Sequence, residues 1–250
     1  APKTILYPSL FRSLMHTQTP EGPAQTNKTT LKGRKGIVLL SDGFDSPVAA
    51  HMMHGVGMAS EYLHCPLTPK VHEKVHLLMQ HLADSTGVEL TLTIVPIESA
   101  QTAYARSANR RFQCIFCKRF MMRIAETIIH EKLEQGYIIT GDNLGQVASQ
   151  TIQNMARIDK ATGQTILRPL LGFDKQQILQ RARAIGTHDL SAQKSPACPF
   201  VPPNPHTMAK DDVILENESL IDIPQLLQEA LSAKQTIVFS PGSEKKFHER

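Results

Sequence analysis

Tryptophan is absent from the 250 residues and aromatic residues make up only 5%, so a core has to come from aliphatic and methionine side chains. No apolar run approaches the roughly 20 residues that cross a bilayer, and no leader-type apolar stretch precedes the first candidate strand. Membrane anchoring and export are therefore not expected, and the expected location is cytoplasmic. Cysteine is sparse, with four residues, too few for a disulfide-built scaffold of this length. In a reducing compartment they read as thiols or metal ligands. No sign of charge dominates: 27 Lys and Arg stand against 23 Asp and Glu, a net charge of +4, which permits a nucleic-acid partner without requiring one. No internal repeat or low-complexity tract occurs. What is present is 41% apolar residues, enough for one large domain with short appendages.

Residues 3–16 carry Leu6, Leu10, Phe11, Leu14 and Met15 at helical spacing, and residues 17–35 form a polar, Thr-, Gln-, Pro- and Gly-rich linker. From Gly36 onward strand-like and helix-like segments alternate. Strands are expected over residues 36–40, 60–64, 88–95, 137–140 and 164–167. Helices are expected over 47–57, 69–85, 118–134, 144–157 and 175–185. Residues 191–210 are Pro-rich and irregular, and a helix over 224–233 and a short strand over 236–239 close the pattern. The expected organisation is an N-terminal segment (1–35), a main domain (36–215) and a C-terminal helix and strand (216–250) packed on it. The fold class is α/β, a doubly wound parallel sheet with ligands at the carboxyl ends of its strands.

Between the first strand and the first helix lies Ser41-Asp42-Gly43-Phe44-Asp45-Ser46, followed by Pro47. Proline suits a first helical turn. The loop thus brings backbone N–H groups, Gly43 and two hydroxyls to a helix N-terminus, where a phosphate is favoured. Asp45 is placed to hold Mg²⁺ against the same oxygens. No Gly-Lys-Ser/Thr follows, so this is not the Walker loop of GTPases and kinases. It resembles the pyrophosphate loop (PP-loop) of ATP pyrophosphatases, usually Ser-Gly-Gly-x-Asp-Ser. Asp42 departs from that pattern, and its carboxylate would repel a pyrophosphate unless it points away or meets a cation.

Cys114 and Cys117 form a CxxC pair, and Cys198 lies far off in Ser195-Pro196-Ala197-Cys198-Pro199. Taken alone, these residues suit a redox or persulfide pair, a zinc site completed by Cys65 or a histidine, or an iron–sulfur site in which three thiolates leave one iron open.

Two further stretches, Thr140-Gly141-Asp142-Asn143-Leu144-Gly145-Gln146-Val147-Ala148-Ser149-Gln150-Thr151 and Arg168-Pro169-Leu170-Leu171-Gly172-Phe173-Asp174-Lys175, join the loop and Lys118-Arg119-Phe120-Met121-Met122-Arg123. Together they resemble the catalytic domain of the tRNA 4-thiouridine synthetases over residues 36–207. The resemblance implies that ATP adenylates the C4 oxygen of a tRNA uridine and that sulfur then displaces AMP. It further implies nucleotide contacts at Leu39, Leu40, Ser41, Gly43, Phe44, Asp45, Ser46, Tyr62, Leu63, Lys118, Gly141 and Gln150. Catalytic roles fall on Asp45, Cys198, Cys114 and Cys117. The chain is similar to the archaeal type, in which the CxxC and the third cysteine hold an iron–sulfur cluster, here a [4Fe–4S] cluster on Cys114, Cys117 and Cys198. The implied partners are tRNA, a sulfide or persulfide donor, and a separate THUMP-type tRNA-binding module, for which residues 1–35 are too short. No rhodanese-like segment is present, so thiamine thiazole synthesis is not expected. Lys118, Arg119, Arg110 and Arg111 are the expected phosphate contacts to RNA, and Cys65 is expected to be dispensable. The alternative is another PP-loop enzyme acting on a small molecule by sulfur transfer or amidation.

Overall fold

The β-branched and apolar run ending at Leu39 has both faces buried, the signature of a central parallel strand. In the computed structural model, which describes residues 31–67, 73–133 and 135–243, this run is β1 (Lys35–Leu39). The expected helix over 3–16 and most of the expected linker lie outside the described residues. The chain continues as α1 (Asp45–Gly55), β2 (Ala59–His64), α2 (Glu73–Thr86), β3 (Leu90–Ile94), α3 (Glu98–Ser107), α4 (Gln113–Lys132), β4 (Tyr137–Ile139), α5 (Ile152–Asp159), β5 (Thr165–Leu167), α6 (Lys175–Ala184), α7 (His188–Ala192), α8 (Asp211–Glu218), α9 (Ile223–Ser232) and β6 (Gln235–Phe239).

The sheet order is β5-β4-β1-β2-β3-β6. The first five strands are parallel, whereas β6 pairs antiparallel with β3, from Leu90 opposite Phe239 to Ile94 opposite Gln235. The sheet is thus mixed at one edge, which an otherwise parallel open sheet accommodates readily. Alternation along β1 divides the core. Ile37 and Leu39 face a layer containing Tyr104, Phe116, Phe120 and Ile124 of α3 and α4. Val38 and Leu40 face Ala50 and Met53 of α1 and Val75, Met79 and Leu82 of α2. After β1 the chain steps to β2 on one side; β4 later lies on β1's other side. The crevice at this reversal, outside the carboxyl ends of β1 and β4, is where such folds bind ligands.

Several helix expectations need correction. The segment over 144–157 is not one α-helix: Gly145 has φ +76, a conformation that ends a helix, a 3-10 turn spans Ala148–Gln150, and α5 begins only at Ile152, capped by Thr151, whose hydroxyl accepts from the Asn154 N–H. α4 begins at Gln113, not 118, because a 3-10 turn over Arg110–Phe112, closed by Asn109, leads straight into it. The CxxC therefore lies in the first helical turns and not before the helix. α3, α7 and α8 were not anticipated. α3 is polar apart from a narrow buried face at Ala100, Gln101 and Tyr104.

The expected boundary at residue 215 falls inside α8. Glu218 at its end is buried and accepts from the guanidinium groups of both Arg119 and Arg123 on α4 at 2.7–2.8 Å. With β6 in the sheet, residues 216–239 are part of the same layered unit. Among the described residues no helix is long and apolar enough to cross a membrane.

Candidate active site at the carboxyl ends of the strands

The pyrophosphate-type loop leaves β1 and enters α1 at Asp45. The residue before it, Phe44, gives α1 no side-chain cap. The first N–H groups of the helix consequently lack a side-chain acceptor, and the positive end of its dipole points outward. Within the loop the two serines close on each other. The Ser41 N–H donates to Ser46 Oγ at 2.8 Å, the two hydroxyls lie 3.0 Å apart, and Gly43 N–H reaches Ser41 Oγ at 3.4 Å. An arriving phosphate can take over these hydroxyls without any core group losing its partner.

Gly141, at the end of β4, explains why that strand can press against the loop. A Cβ there would lie 2.7 Å from the Ser46 nitrogen and 2.8 Å from the Asp45 carbonyl carbon, both backbone atoms that cannot move aside. At Gly43, by contrast, a Cβ would meet only the Ser41 hydroxyl at 3.5 Å, which leaves that side of the loop open.

Asp42 does not face the loop unbalanced. Its carboxylate lies 3.8 Å from Lys74 Nζ of α2. Asp45 accepts from Lys175 Nζ at 3.2 Å, and the same ammonium sits 5.3 Å from the centre of the Phe44 ring.

A cavity of about 410 Å³ opens beside the loop. Leu39, Leu40, Ser41, Asp45 and Ser46 line it from β1 and the loop, Leu63 and Cys65 from β2 and its exit, and Gly141 and Gln150 from the β4 side. Cys114, Cys117 and Lys118 project into it from α4, and Cys198 stands on its rim. Residues distant in sequence thus meet in one chamber. Of the expected nucleotide contacts, Gly43 and Phe44 do not line the cavity. Tyr62 is 2% exposed in the core layer under α2 and does not line the cavity; alternation along β2 presents Leu63 there instead.

Lys118 is tied to Asp142, which also accepts from Thr140 Oγ1 at 2.9 Å and Arg168 Nε at 3.2 Å; Arg168 in turn reaches Asp159. Burial alone would push the Asp142 carboxyl up, yet Lys118 and Arg168 hold it well below the usual carboxylate range. Arg168 is buried, so Lys118 is the cation of this network that can still meet a ligand. Arg119, expected at an RNA surface, is instead buried on Glu218. Arg110 and Arg111 remain exposed, with Arg111 Nε donating to the Asn204 carbonyl at 3.1 Å.

All four cysteines are free. Burial pushes the Cys117 thiol up to about 12, and Cys114 and Cys198 add to the effect. Burial and Cys198 push Cys114 up as well, with Lys118 pulling the other way. Burial, then Cys117, raises Cys65. Buried thiols of this kind are weak nucleophiles near neutral pH unless a metal takes their protons. Among the described residues no three His, Cys, Asp or Glu side chains are grouped tightly enough to hold a single metal ion. An iron–sulfur cluster takes one cysteine per iron, and three thiols lining one chamber fit that donor set.

A parallel sheet with an uncapped Ser/Asp loop at its switch point and a cavity running from that loop defines an α/β nucleotide-binding domain of the PP-loop type. Residues 32–223 match the family described as "Thiamine biosynthesis protein (ThiI)", and the chain belongs to that family. A "Probable tRNA sulfurtransferase" of Methanocaldococcus jannaschii is 39% identical over 184 residues, 72% of this chain and 48% of that protein. One from Coxiella burnetii is 40% identical over 211 residues, 82% of this chain and 53% of its own length. Among solved structures, a 4-thiouridine synthetase in complex with RNA and bound ATP superposes with a TM-score of 0.78 at 34% identity, covering 83% of this chain and 56% of that one. The chain thus spans about half the length of the relatives it matches.

Sequence reasoning assigned no role to Asp142, Arg168, Lys74 or Lys175. The first two and Lys175 lie inside the stretches that carried the resemblance, but which carboxylate pairs with which cation is a tertiary fact. Nothing in the sequence near Lys74 signals its position beside the loop.

Proposed function

We propose that this chain is the catalytic part of an ATP-dependent tRNA sulfurtransferase that converts a uridine to 4-thiouridine. The observation that supports this most is the single cavity joining the pyrophosphate-type loop to Cys114, Cys117 and Cys198. An activation site and a sulfur site in one chamber suit a reaction in which the same carbon is first activated and then attacked.

In this reading the β- and γ-phosphates of ATP sit at the N-terminus of α1, with Ser41 and Ser46 turning their hydroxyls from each other to the phosphate oxygens. Asp45 would hold Mg²⁺ beside the phosphates, where it would offset their charge, and Lys118 balances charge at the α-phosphate. Leu39, Leu40 and Leu63 form the apolar wall for adenosine, and Gln150 supplies an amide to the same pocket. The uridine is lifted out of its stack so that its C4 oxygen attacks the α-phosphorus and pyrophosphate leaves. A sulfide equivalent then adds at C4, AMP departs with the former C4 oxygen, and 4-thiouridine remains. Cys114, Cys117 and Cys198 would hold a [4Fe–4S] cluster, which when bound would supply an open coordination position for a sulfur ligand. The sulfur comes from sulfide directly, or from a persulfide donor together with a second thiol that cleaves the resulting S–S bond and ends as a disulfide with the carrier, and tRNA is presented with the help of a THUMP-type module. We assign residues 36–239 to one PP-loop domain, with the helix Asp211–Glu218 crossing the boundary expected at residue 215.

The test is nucleoside mass analysis of tRNA incubated with the chain, MgATP and hydrosulfide, with a THUMP module supplied. The expected result is 4-thiouridine that requires ATP and disappears, together with pyrophosphate release, in Asp45→Ala. Unmodified tRNA under these conditions, with pyrophosphate released on a small-molecule acceptor, would favour the small-molecule PP-loop enzyme instead.

A further inference from the structure

On its N-terminal side, Cys198 is carried on a segment with little of its own to hold it; on the other side the chain is fixed at buried Pro202. Residues 192–199 are exposed and, beyond α7, have no regular secondary structure. One buried side chain from another element reaches into this segment. Lys74 of α2 is 8% exposed, and its ammonium donates to the Ser191 carbonyl at 3.0 Å, the Gln193 carbonyl at 2.8 Å and Ser195 Oγ at 3.2 Å. The same ammonium stands 3.8 Å from the Asp42 carboxylate in the pyrophosphate-type loop. A second tie runs beside it, from Ser191 Oγ to the Gly43 carbonyl at 3.1 Å. An ammonium has three protons to donate, and here all three go to the strap that leads to Cys198, while its charge faces the loop.

We infer that Lys74 is a positioning residue that fastens the Cys198 strap to the pyrophosphate loop, so that the sulfur site is held in register with the nucleotide. The inference rests on the proposed sulfurtransferase reading for its function, though not for its geometry. Ser195 is only three residues from Cys198, at most about 11 Å of extended chain, so anchoring Ser195 confines the thiol to the mouth of the cavity. Freed at Ser195, the strap would be held only at α7 on one side and at buried Pro202 on the other, and would sample a larger volume, lowering the effective concentration of the Cys198 thiol beside Cys114 and Cys117, where the sulfur site is assembled. The pair also accounts for Asp42. A carboxylate in a phosphate-binding loop is a liability by itself, but opposite Lys74 it becomes the loop's half of the fastening.

Loss of the fastening has a defined chemical consequence. Adenylated uridine that does not meet sulfide is open to water, which returns uridine and AMP. ATP is then consumed without thiolation, and AMP released per sulfur incorporated rises above unity.

The test uses the full chain and two readouts. The first is trypsin cleavage after Lys194, a bond flanked by two of the anchored groups, with cleavage after Lys210 as internal control. Lys74→Met is expected to speed the cut after Lys194 by about tenfold or more, because proteolysis follows the population of the locally opened segment. The cut after Lys210 should not change. Ser195→Ala, an exposed change that leaves the core intact, removes one acceptor and is expected to raise the Lys194 cut by about two- to threefold. The second readout is the ratio of AMP to 4-thiouridine, expected to rise about 10- to 100-fold in Lys74→Met.

An unchanged Lys194 cut in a folded Lys74→Met protein overturns the inference. So does a released strap with the ratio unmoved. If Lys74→Met loosens the whole protein and speeds both cuts, Ser195→Ala decides, and absence of a selective rise there also overturns it. If the unaltered chain makes no 4-thiouridine, the functional reading fails, while the proteolysis still decides whether Lys74 anchors the strap.

Discussion

At the scale of single residues, the site is organised by a few carboxylates that face cations. Asp142 is the clearest case. It is 5% exposed and receives Lys118, Arg168 and Thr140 together. Replacing it with Asn leaves Lys118 and part of Arg168 without a counter-charge, and a loss of about 3 kcal/mol in urea-unfolding free energy is expected at pH 7. The pH dependence has a fixed sign. The folded carboxyl titrates below the unfolded value of about 3.9, so its contribution is present above that pH and is lost as pH falls through the folded pKa. The unaltered protein should therefore lose stability more steeply below about pH 4 than Asp142→Asn does; parallel curves would show that the network contributes nothing. The sequence made legible that Ser41, Asp45 and Ser46 sit on a strand-to-helix loop, because an apolar run before them and Pro47 after them mark the two elements. It did not disclose the pairings Asp42–Lys74 and Asp142–Arg168, which depend on contacts between elements far apart in the chain.

At the scale of elements, what matters is how closely β4 and α1 approach. Gly141 sits where a methyl group would overlap the backbone of Asp45 and Ser46. Gly141→Ala is expected to cost about 1–3 kcal/mol in stability and to weaken ATP binding by displacing the start of α1; calorimetric titration with a non-hydrolysable ATP analogue checks the second effect. Unaltered affinity would mean that the loop adjusts freely, against the tight fit seen here. The strands were legible because short apolar, β-branched runs between turn residues have little other use. The beginning of α4 was not, since CxxC carries no helical periodicity and the 3-10 turn before it is set by one Asn109 side chain. α3 escaped for a related reason: a helix that buries only Ala100, Gln101 and Tyr104 has almost no apolar stripe to read.

At the scale of the whole molecule, alternation of strands and helices made the layered fold readable, whereas the antiparallel direction of β6 was not, because side-chain alternation is the same in either direction. Charge sets the expected behaviour toward RNA. A net charge of +4, with Arg119 withdrawn into the core, leaves few phosphate contacts. The 250-residue chain is expected to bind tRNA weakly and to lose that binding steeply with salt, while a THUMP module, fused or added, tightens it without altering ATP affinity. Tight, salt-insensitive binding by the chain alone would refute that division of labour. In the proposed reaction one cavity activates a uridine oxygen and then exchanges it for sulfur, and the fate of that oxygen decides whether it does. With tRNA carrying heavy oxygen at C4 of its uridines, the AMP released during thiolation should acquire one heavy oxygen for each 4-thiouridine formed. Thiolation accompanied by unlabelled AMP would contradict adenylation of the uridine and, with it, the mechanism assigned to this site.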